Sequence, residues 1–387
     1  MQVYFDHAAT TPLRKEVLDA MMPYLTTEYG NPSSQYELGK KANMAVEDAR
    51  NVIADSINAN IDEIFFTSGG SEANSWAIKG YYYGKDFYDK SIITSCIEHH
   101  SLLNAVGYAG GVYDAHVFYV RNDENGLVSL DDLNALLKEF SPSIVSIMAL
   151  NNEIGTIEPI TEIGAICHEY GATFHTDAVQ AYGHIPIDVD AMNIDLMSVS
   201  GHKINGPKGI GFLYARKDVQ KNLHPLVNGG QQEWNMRGGT ENVASIVGLA
   251  KAAELSISEM EKVNSKNLEI KNRLRNYIAK QGGHINGNGG SPNHLSFRFD
   301  GIRAELWHEF FNEHGICVSS GSACNSLSSE PSHVLKAIGL SDAQADETIR
   351  MSFGNTTTQK ETEYVIQVLN EGVELLTPPE EDEQWTI

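Results

Sequence analysis

The stretch FTSGGSEANSWAIKG, residues 66–80, passes from apolar residues through Gly69, Gly70 and Ser71 into a helical pattern. A strand–turn–helix junction presents unpaired backbone N–H groups at a helix N-terminus, where an anion such as a phosphate binds well, and Ser71 adds a hydroxyl. The stretch is neither a P-loop nor GxGxxG, so alone it fits an ordinary capped turn more readily than an anion cradle. Asp177, in HTDAVQAYG, ends an alternating strand, the place where α/β sheets gather their ligand sites. An acid there can ligate a metal, act as a base, pair with a cationic heterocycle or simply cap a helix, and Gln180 is near enough in sequence to share its pocket. Lys203, in SVSGHKINGPKGIGFLY, follows another apolar run and is enclosed by Ser200, Gly201 and His202. A lysine at a buried strand end is costly unless paired or used covalently, and a desolvated amine is the usual Schiff-base former; a surface loop lysine is the commoner fate.

The three pieces together suit one cofactor. Pyridoxal phosphate needs a lysine for its aldehyde, an acid opposite its pyridinium nitrogen and an anion cradle for its phosphate. Gly70 and Ser71, then Asp177, then Lys203 supply these in order along the chain. His99 and His100 follow a further apolar run. Adjacent histidines on a strand point apart, so a shared metal is not expected; one ring could lie over a flat cofactor or be a core histidine.

Cys324 stands in SSGSACNSLSSEP, residues 319–331, among Ser, Gly and Asn. A structural cysteine is normally a small buried hydrophobe, and this one has almost nothing apolar beside it. A polar connection of that length inside a compact domain is usually functional or disordered. Cys96 and Cys167 sit in apolar patterns and read as core, and Cys317 as a strand residue. With four cysteines and no CxxC, neither a secreted disulfide scaffold nor a structural zinc site is expected.

Strand patterns alternate with helical ones through most of the chain, which predicts βαβ units and a mostly parallel central sheet flanked by helices. A polar break, EWNMRGGTENV, precedes a long helical region from residue 244 to 281, and a boundary near Val263 is expected within it. The reading is a large α/β domain over residues 13–262, with residues 1–12 and 263–387 forming a smaller α+β domain that carries the cysteine loop. Hydrophobic content of 41% and charged content of 20% describe a globular protein with a large core. A net charge of −23 argues against general binding to the nucleic-acid backbone. No apolar run is long enough to span a membrane and the N-terminus does not read as a signal peptide, so a cytoplasmic location is expected.

Ten segments in order, YFDHAATTP, YGNPSS, FTSGGSEANSWAIKG, IEHHSLL, LNNEIGT, HTDAVQ, SGHKINGPKGIG, RGGTEN, SSGSACNSLSSEPSHVL and IRMSFG, resemble the cysteine desulfurases, pyridoxal-phosphate enzymes of the aspartate-aminotransferase fold type. The likeness spans almost the whole chain and implies a role for each matching residue. Lys203 would hold the coenzyme aldehyde and then move protons at the substrate Cα, Asp177 would face the pyridinium nitrogen, and Gln180 would donate to the ring hydroxyl oxygen. His99 would stack on the ring and act in proton transfer, with Asn152 near ring and substrate. Gly70, Ser71, Ser200 and His202 would hold the phosphate, joined by Thr240 from the other subunit of a homodimer. Arg350 with Asn31 would clamp the carboxylate of L-cysteine, Arg because its planar fork matches that group. Cys324 would be the nucleophile that takes the sulfur as a persulfide. Its acceptors would be iron–sulfur scaffold proteins or tRNA-thiolation enzymes, and a partner-bound cluster could share the Cys324 thiol; no other metal is implied.

Two departures from the pattern stand out. Gln35 and Tyr36 replace the His or Arg frequent after GNPSS, and Gly70-Ser71 replaces Ala-Thr. The rival readings are a selenocysteine lyase or other aminotransferase-like enzyme on the same coenzyme, and a non-catalytic protein with a Gly-rich anion site. An aminotransferase has no need of a thiol in such a loop, and a binding protein would lack a visible coenzyme band.

Overall fold

The computed structural model describes residues 1–83, 91–287, 290–321 and 330–377. The chain divides into two compact units. It opens with a two-residue strand of the smaller unit, β1 (Val3–Tyr4), and enters the larger unit at Thr10. There it forms α1 (Lys15–Thr26), α2 (Glu37–Asp55), β2 (Ile64–Thr67), α3 (Gly70–Ser75), β3 (Ser91–Ser95), α4 (His100–Tyr113), β4 (His116–Val120), α5 (Leu130–Phe140), β5 (Ile144–Ser146), α6 (Ile160–Glu169), β6 (Thr173–Asp177), β7 (Leu196–Ser200) and β8 (Gly211–Ala215). α7 (Val243–Lys280) begins in this unit, which ends at Lys262.

The seven strands of the larger unit form one sheet in the order β2-β8-β7-β6-β5-β3-β4. All neighbouring pairs are parallel except those of β8, which runs against both β2 and β7. Side chains alternate between the faces. Ile93, Val145, Phe174, Met197 and Phe212 pack with α2, α6 and the start of α7 on one face. Ile92, Ile144, Leu196 and Leu213 pack with α3 and α4 on the other. Burial on both faces is why these strands read as near-continuous apolar runs rather than as strict alternation. The parallel arrangement brings the ends of β2, β3, β6 and β7 to one edge of the sheet. Gly211, the first residue of β8, belongs to that edge too. A Cβ there would lie 2.2 Å from the Val199 carbonyl oxygen and 2.9 Å from Gly69 Cα, so only glycine lets the turn after β2 pack down.

The smaller unit comprises Met1–Ala9, Glu153–Gly155 and the chain from Val263 onward. Thr10 to Pro12, expected in this unit, belong to the larger one. Residues 153–155 join it from the middle of the chain, which local patterns do not signal. Its strands are β9 (His284–Ile285), β10 (His294–Arg298), β11 (Ile316–Cys317) and β12 (Thr348–Ser352). They form an antiparallel β12-β10-β9 sheet and a parallel β1–β11 pair. The remaining helices are α8 (Ala304–Glu313), α9 (His333–Ala337), α10 (Asp342–Asp346) and α11 (Gln359–Leu376). Phe297, Trp307, Phe311, Ile349 and Val365 are among its core residues, packed with Leu274 and Ile278 from the later turns of α7.

A buried ion pair holds the polar break before α7. Arg50 and Glu233 side chains are each 3% exposed, with Nη1 and Nη2 donating to the two carboxylate oxygens at 2.7 and 2.8 Å. The guanidinium lies 4.6 Å from the ring centroids of both Phe66 and Trp234. Glu233, Trp234 and Asn235 are consecutive non-glycine residues with positive φ, a conformation that persists only where its surroundings enforce it. Glu233→Ala leaves Arg50 as a buried, unpaired charge, and a loss of about 3–5 kcal/mol is expected in denaturant unfolding of the holoenzyme. A loss below about 1 kcal/mol, the range of an exposed pair, would contradict this account.

Candidate active site

Asp177 closes β6 and is 4% exposed. Its Oδ2 accepts from Asn74 Nδ2 at 2.6 Å and its Oδ1 from the Val179 N–H at 2.9 Å. The other proton of the same amide goes to Ser101 Oγ at 3.0 Å. Ser101 Oγ lies 2.8 Å from His99 Nδ1, and the Ser101 N–H donates to that nitrogen at 3.1 Å. A hydrogen-bonded chain thus runs His99–Ser101–Asn74–Asp177. Because Nδ1 accepts, the neutral ring carries its proton on Nε2. His99 is the N-cap of α4 and His100 its first residue, so the pair stands at a helix start rather than on a strand.

The turn after β2 has Gly69 at φ +147°, and a helix starts at Gly70. A Cβ on Gly70 would fall 2.5 Å from Val179 Cγ2, and one on Gly69 would sit 3.5 Å from Ser200 Oγ. The two glycines therefore bring the helix N-terminus against the end of β7 and the residue two past Asp177. Glu72, in the first turn, accepts the Ser68 N–H at 2.8 Å and receives Arg237 through Nε at 2.9 Å and Nη2 at 3.2 Å. Arg237 belongs to the polar segment that carries Thr240, which is itself exposed.

Lys203 ends a short 3-10 turn, Gly201–Lys203, directly after β7. His184 Nε2 lies 3.1 Å from the Lys203 carbonyl oxygen and donates to it. The His202 carbonyl accepts from Thr11 N at 3.0 Å and Thr11 Oγ1 at 2.7 Å, and Thr11 Oγ1 accepts the Asn205 N–H at 2.7 Å. His202 Nδ1 lies 3.2 Å from Thr10 Oγ1; burial, with Lys203 and Lys208 adding to it, pushes this imidazole down to about 4, so it is neutral near pH 7. Asn152, Gln180 and Ser200 are buried, whereas Asn31 is exposed, its Oδ1 accepting the Ser33 N–H. Gln35 and Tyr36 are exposed at the start of α2.

Beneath this edge His175, two residues before Asp177, is wholly buried. Its Nδ1 lies 2.7 Å from Ser146 Oγ and its Nε2 3.0 Å from Ser198 Oγ, linking β5, β6 and β7. Burial holds it down at about 3, so it is a neutral strut across the sheet.

In the smaller unit Arg350 lies in β12, 1% exposed, and its Nη2 donates to Asp6 Oδ1 at 2.7 Å. Of the cysteines, Cys167 is buried in α6 and Cys317 is half-buried in β11. Cys96, expected in the core, is half-buried just past β3, where its thiol donates to Asn122 Oδ1 at 3.3 Å; the strand ends at Ser95 and the turn leaves it at the sheet edge. Cys324 lies outside the described residues.

The larger unit thus brings Gly70, Ser71, His99, Asp177, Gln180, Ser200, His202 and Lys203 to the strand-end edge of one sheet, with Arg350 and Asp6 in the smaller unit. The residues missed by sequence reasoning are Asn74, Ser101, His184, Glu72, Arg237 and Asp6. The donor set suits pyridoxal phosphate: a carboxyl group oriented by an amide and a backbone N–H, a lysine on a braced turn, and a helix N-terminus that a Cβ on Gly70 would displace.

A model of the family described as aminotransferase class-V matches residues 3–365. A cysteine desulfurase IscS of Methanosarcina thermophila is 46% identical over 377 residues, 97% of this chain and 92% of the relative. Among solved structures, a NifS-like protein superposes with a TM-score of 0.91 at 35% identity, covering 97% of this chain and all of that one. SspA in complex with cysteine gives a TM-score of 0.81 at 38% identity, covering 91% and 99%.

Proposed function

We infer the chemistry of this site from one premise: the chain belongs to the aminotransferase class-V family and, within it, to the cysteine desulfurases. It is a pyridoxal-phosphate enzyme that converts L-cysteine to L-alanine and removes the sulfur. The observation that carries this reading is the His99–Ser101–Asn74–Asp177 chain, which joins an acid for the ring nitrogen to an imidazole for the ring face.

The coenzyme, when bound, supplies an electron sink for the pair left when the substrate Cα–H bond breaks. Asp177 keeps the ring nitrogen protonated, and Asn74 with the Val179 N–H fixes the direction of its oxygens. Gln180 donates to the ring hydroxyl oxygen, and Asn152 lies by ring and substrate. The first N–H groups of the helix at Gly70 and Ser71, with Ser200 and His202, hold the phosphate. Thr240 completes that cup from the second subunit of a homodimer, its segment tied to Glu72 through Arg237. Lys203 would hold the bound coenzyme through its aldehyde, and its amine would move the proton at the substrate Cα. Arg350, oriented by Asp6, binds the substrate carboxylate with Asn31.

Cys324 acts as the thiolate. It attacks the substrate sulfur, a new S–S bond forms, the C–S bond breaks with its electron pair passing to the substrate carbon, and protonation there yields alanine. The persulfide on Cys324 passes to a scaffold protein for iron–sulfur assembly or to a tRNA-thiolation enzyme. Among the described residues no helix is long and apolar enough to cross a membrane, and we place the enzyme in the cytoplasm.

Holoenzyme given L-cysteine and a dithiol is expected to release alanine and sulfide in equal amounts. Formation of a keto acid in place of alanine would assign it to transamination instead.

A further inference from the structure

Two hydrogen bonds from one residue fix where the His99 imidazole can carry a proton. The Ser101 N–H points at Nδ1 at 3.1 Å, and Ser101 Oγ lies 2.8 Å from the same nitrogen. A backbone N–H can only donate, so Nδ1 accepts and the ring proton is on Nε2. The hydroxyl acts in the same direction. Asn74, buried, gives one Nδ2 proton to Asp177 Oδ2 at 2.6 Å and the other to Ser101 Oγ at 3.0 Å. Ser101 Oγ is thus an acceptor toward Asn74, and among the described residues its own proton has one acceptor, Nδ1. To take up a second proton, the imidazole would have to turn both donors away from Nδ1. Position on the helix adds to this. His99 is the N-cap of α4, and the positive end of a helix dipole disfavours an imidazolium. Its link to Asp177 passes through Asn74 and Ser101, both uncharged. Glu98, the preceding residue, is fully buried, and its Oε1 accepts the Met148 N–H at 2.8 Å. Burial first, with Asp177 and Glu158 adding to it, raises this carboxyl well above the usual range, which weakens its pull on a proton at His99.

We propose that Ser101 is a positioning residue that locks His99 as a neutral imidazole, so that His99 serves the reaction as a fixed Nε2–H donor and not as a proton carrier. This departs from the proton transfer that likeness to the desulfurases implies for His99. It rests on the reading above, in which the coenzyme ring lies under the imidazole. A neutral ring with its proton on Nε2 has only Nδ1 to receive another, and both Ser101 donors stand there. Giving up the Nε2 proton would leave an imidazolate, which is not formed near pH 7. What such a ring can do is polarise. Its N–H bond to an oxygen or sulfur of the bound amino acid strengthens as negative charge builds up on that atom. Neutral imidazoles held at helix starts serve other enzymes as electrophiles by the same means.

Nitrogen NMR of holoenzyme with isotope-labelled histidine is the first test, His99→Gln identifying the signals. Near pH 7 His99 should show a protonated Nε2 and an unprotonated Nδ1. Ser101→Ala should move the Nδ1 signal, because that nitrogen loses a donor, and Ser101→Thr should return it. Alanine formation from L-cysteine is the second test. Glutamine keeps an N–H within reach of the Nε2 position but carries no proton between groups. His99→Gln should therefore stay within about tenfold of wild type, whereas His99→Ala, which removes the donor, should lose about 10²-fold or more. Ser101→Ala should lower kcat roughly tenfold at nearly unchanged KM, with recovery in Ser101→Thr. A proton on Nδ1, or on both nitrogens, would overturn the lock. His99→Gln falling as far as His99→Ala would overturn the donor role, and an Nδ1 signal unmoved in Ser101→Ala would take Ser101 out of it. The apoprotein spectrum reads the same lock without coenzyme. Wild-type protein that failed to bind pyridoxal phosphate would therefore overturn the reading above, while the proton positions on His99 would still decide for or against the lock.

Discussion

Replacing Lys203 with alanine lowers alanine formation from L-cysteine by roughly 10³-fold, within the range expected for removing a group that moves a proton in the rate-setting step. The visible band of the covalently held coenzyme disappears in the same variant. The loss belongs to the side chain and not to the fold, because the turn is braced through its backbone. His184 donates to the Lys203 carbonyl, and Thr11 fastens the carbonyl of His202 and the N–H of Asn205. These bonds are made to and from the backbone, so the turn keeps this bracing in the variant, and the apoprotein should still unfold cooperatively with an unchanged far-ultraviolet spectrum. Turnover near the wild-type rate, with the visible band retained, would remove Lys203 from the chemistry. A large fall in apoprotein stability would instead show that the amine helps to hold the turn.

Much of this site was legible because the sheet makes it so. Parallel strands buried on both faces leave long apolar runs, and the first polar residues after each run fall at the shared edge. Asp177, Ser200, Lys203, His99 and the Gly69-Gly70 turn were all found that way. The residues that hold them were not, because their partners are distant in the chain. Asn74 bonds an acid 103 positions away, Arg50 one 183 away, and Arg350 one 344 away. Only Asn74 left a usable trace: it lies four residues beyond Gly70, one helical turn from the cradle and on the same face. Asp6 stands in a motif that was matched, but its role appears only when Arg350 is seen buried against it. Placing Cys96 in the core failed for a related reason. Its apolar neighbours belong to the strand, and the strand stops one residue earlier.

Replacing Cys324 with alanine stops sulfide release while leaving substrate binding intact. The other three thiols are unsuited to the task. Cys167 is fully buried in α6, where burial pushes its thiol far above the usual range, so almost no thiolate exists near pH 7. Cys96 is pushed up as well, by burial first and by Glu98 in addition, and its thiol is committed to Asn122. Cys317 lies in β11, and as the register partner of Tyr4 its backbone is locked into a parallel pair. Cys324 stands in the sequence among Ser, Gly and Asn, with Ala323 and Leu327 as its apolar neighbours there. Loss of the nucleophile should lower sulfide release by about 10³-fold or more, since catalytic groups that act as a unit fail together. L-cysteine should still shift the visible band of the Cys324→Ala holoenzyme, because Lys203, Asp177 and Arg350 remain. Cys96→Ala and Cys317→Ala should release sulfide within about twofold of wild type, as expected for thiols that never meet the substrate. Sulfide release by Cys324→Ala at the wild-type rate would refute the transfer, and a comparable loss in Cys317→Ala would move the nucleophile to β11.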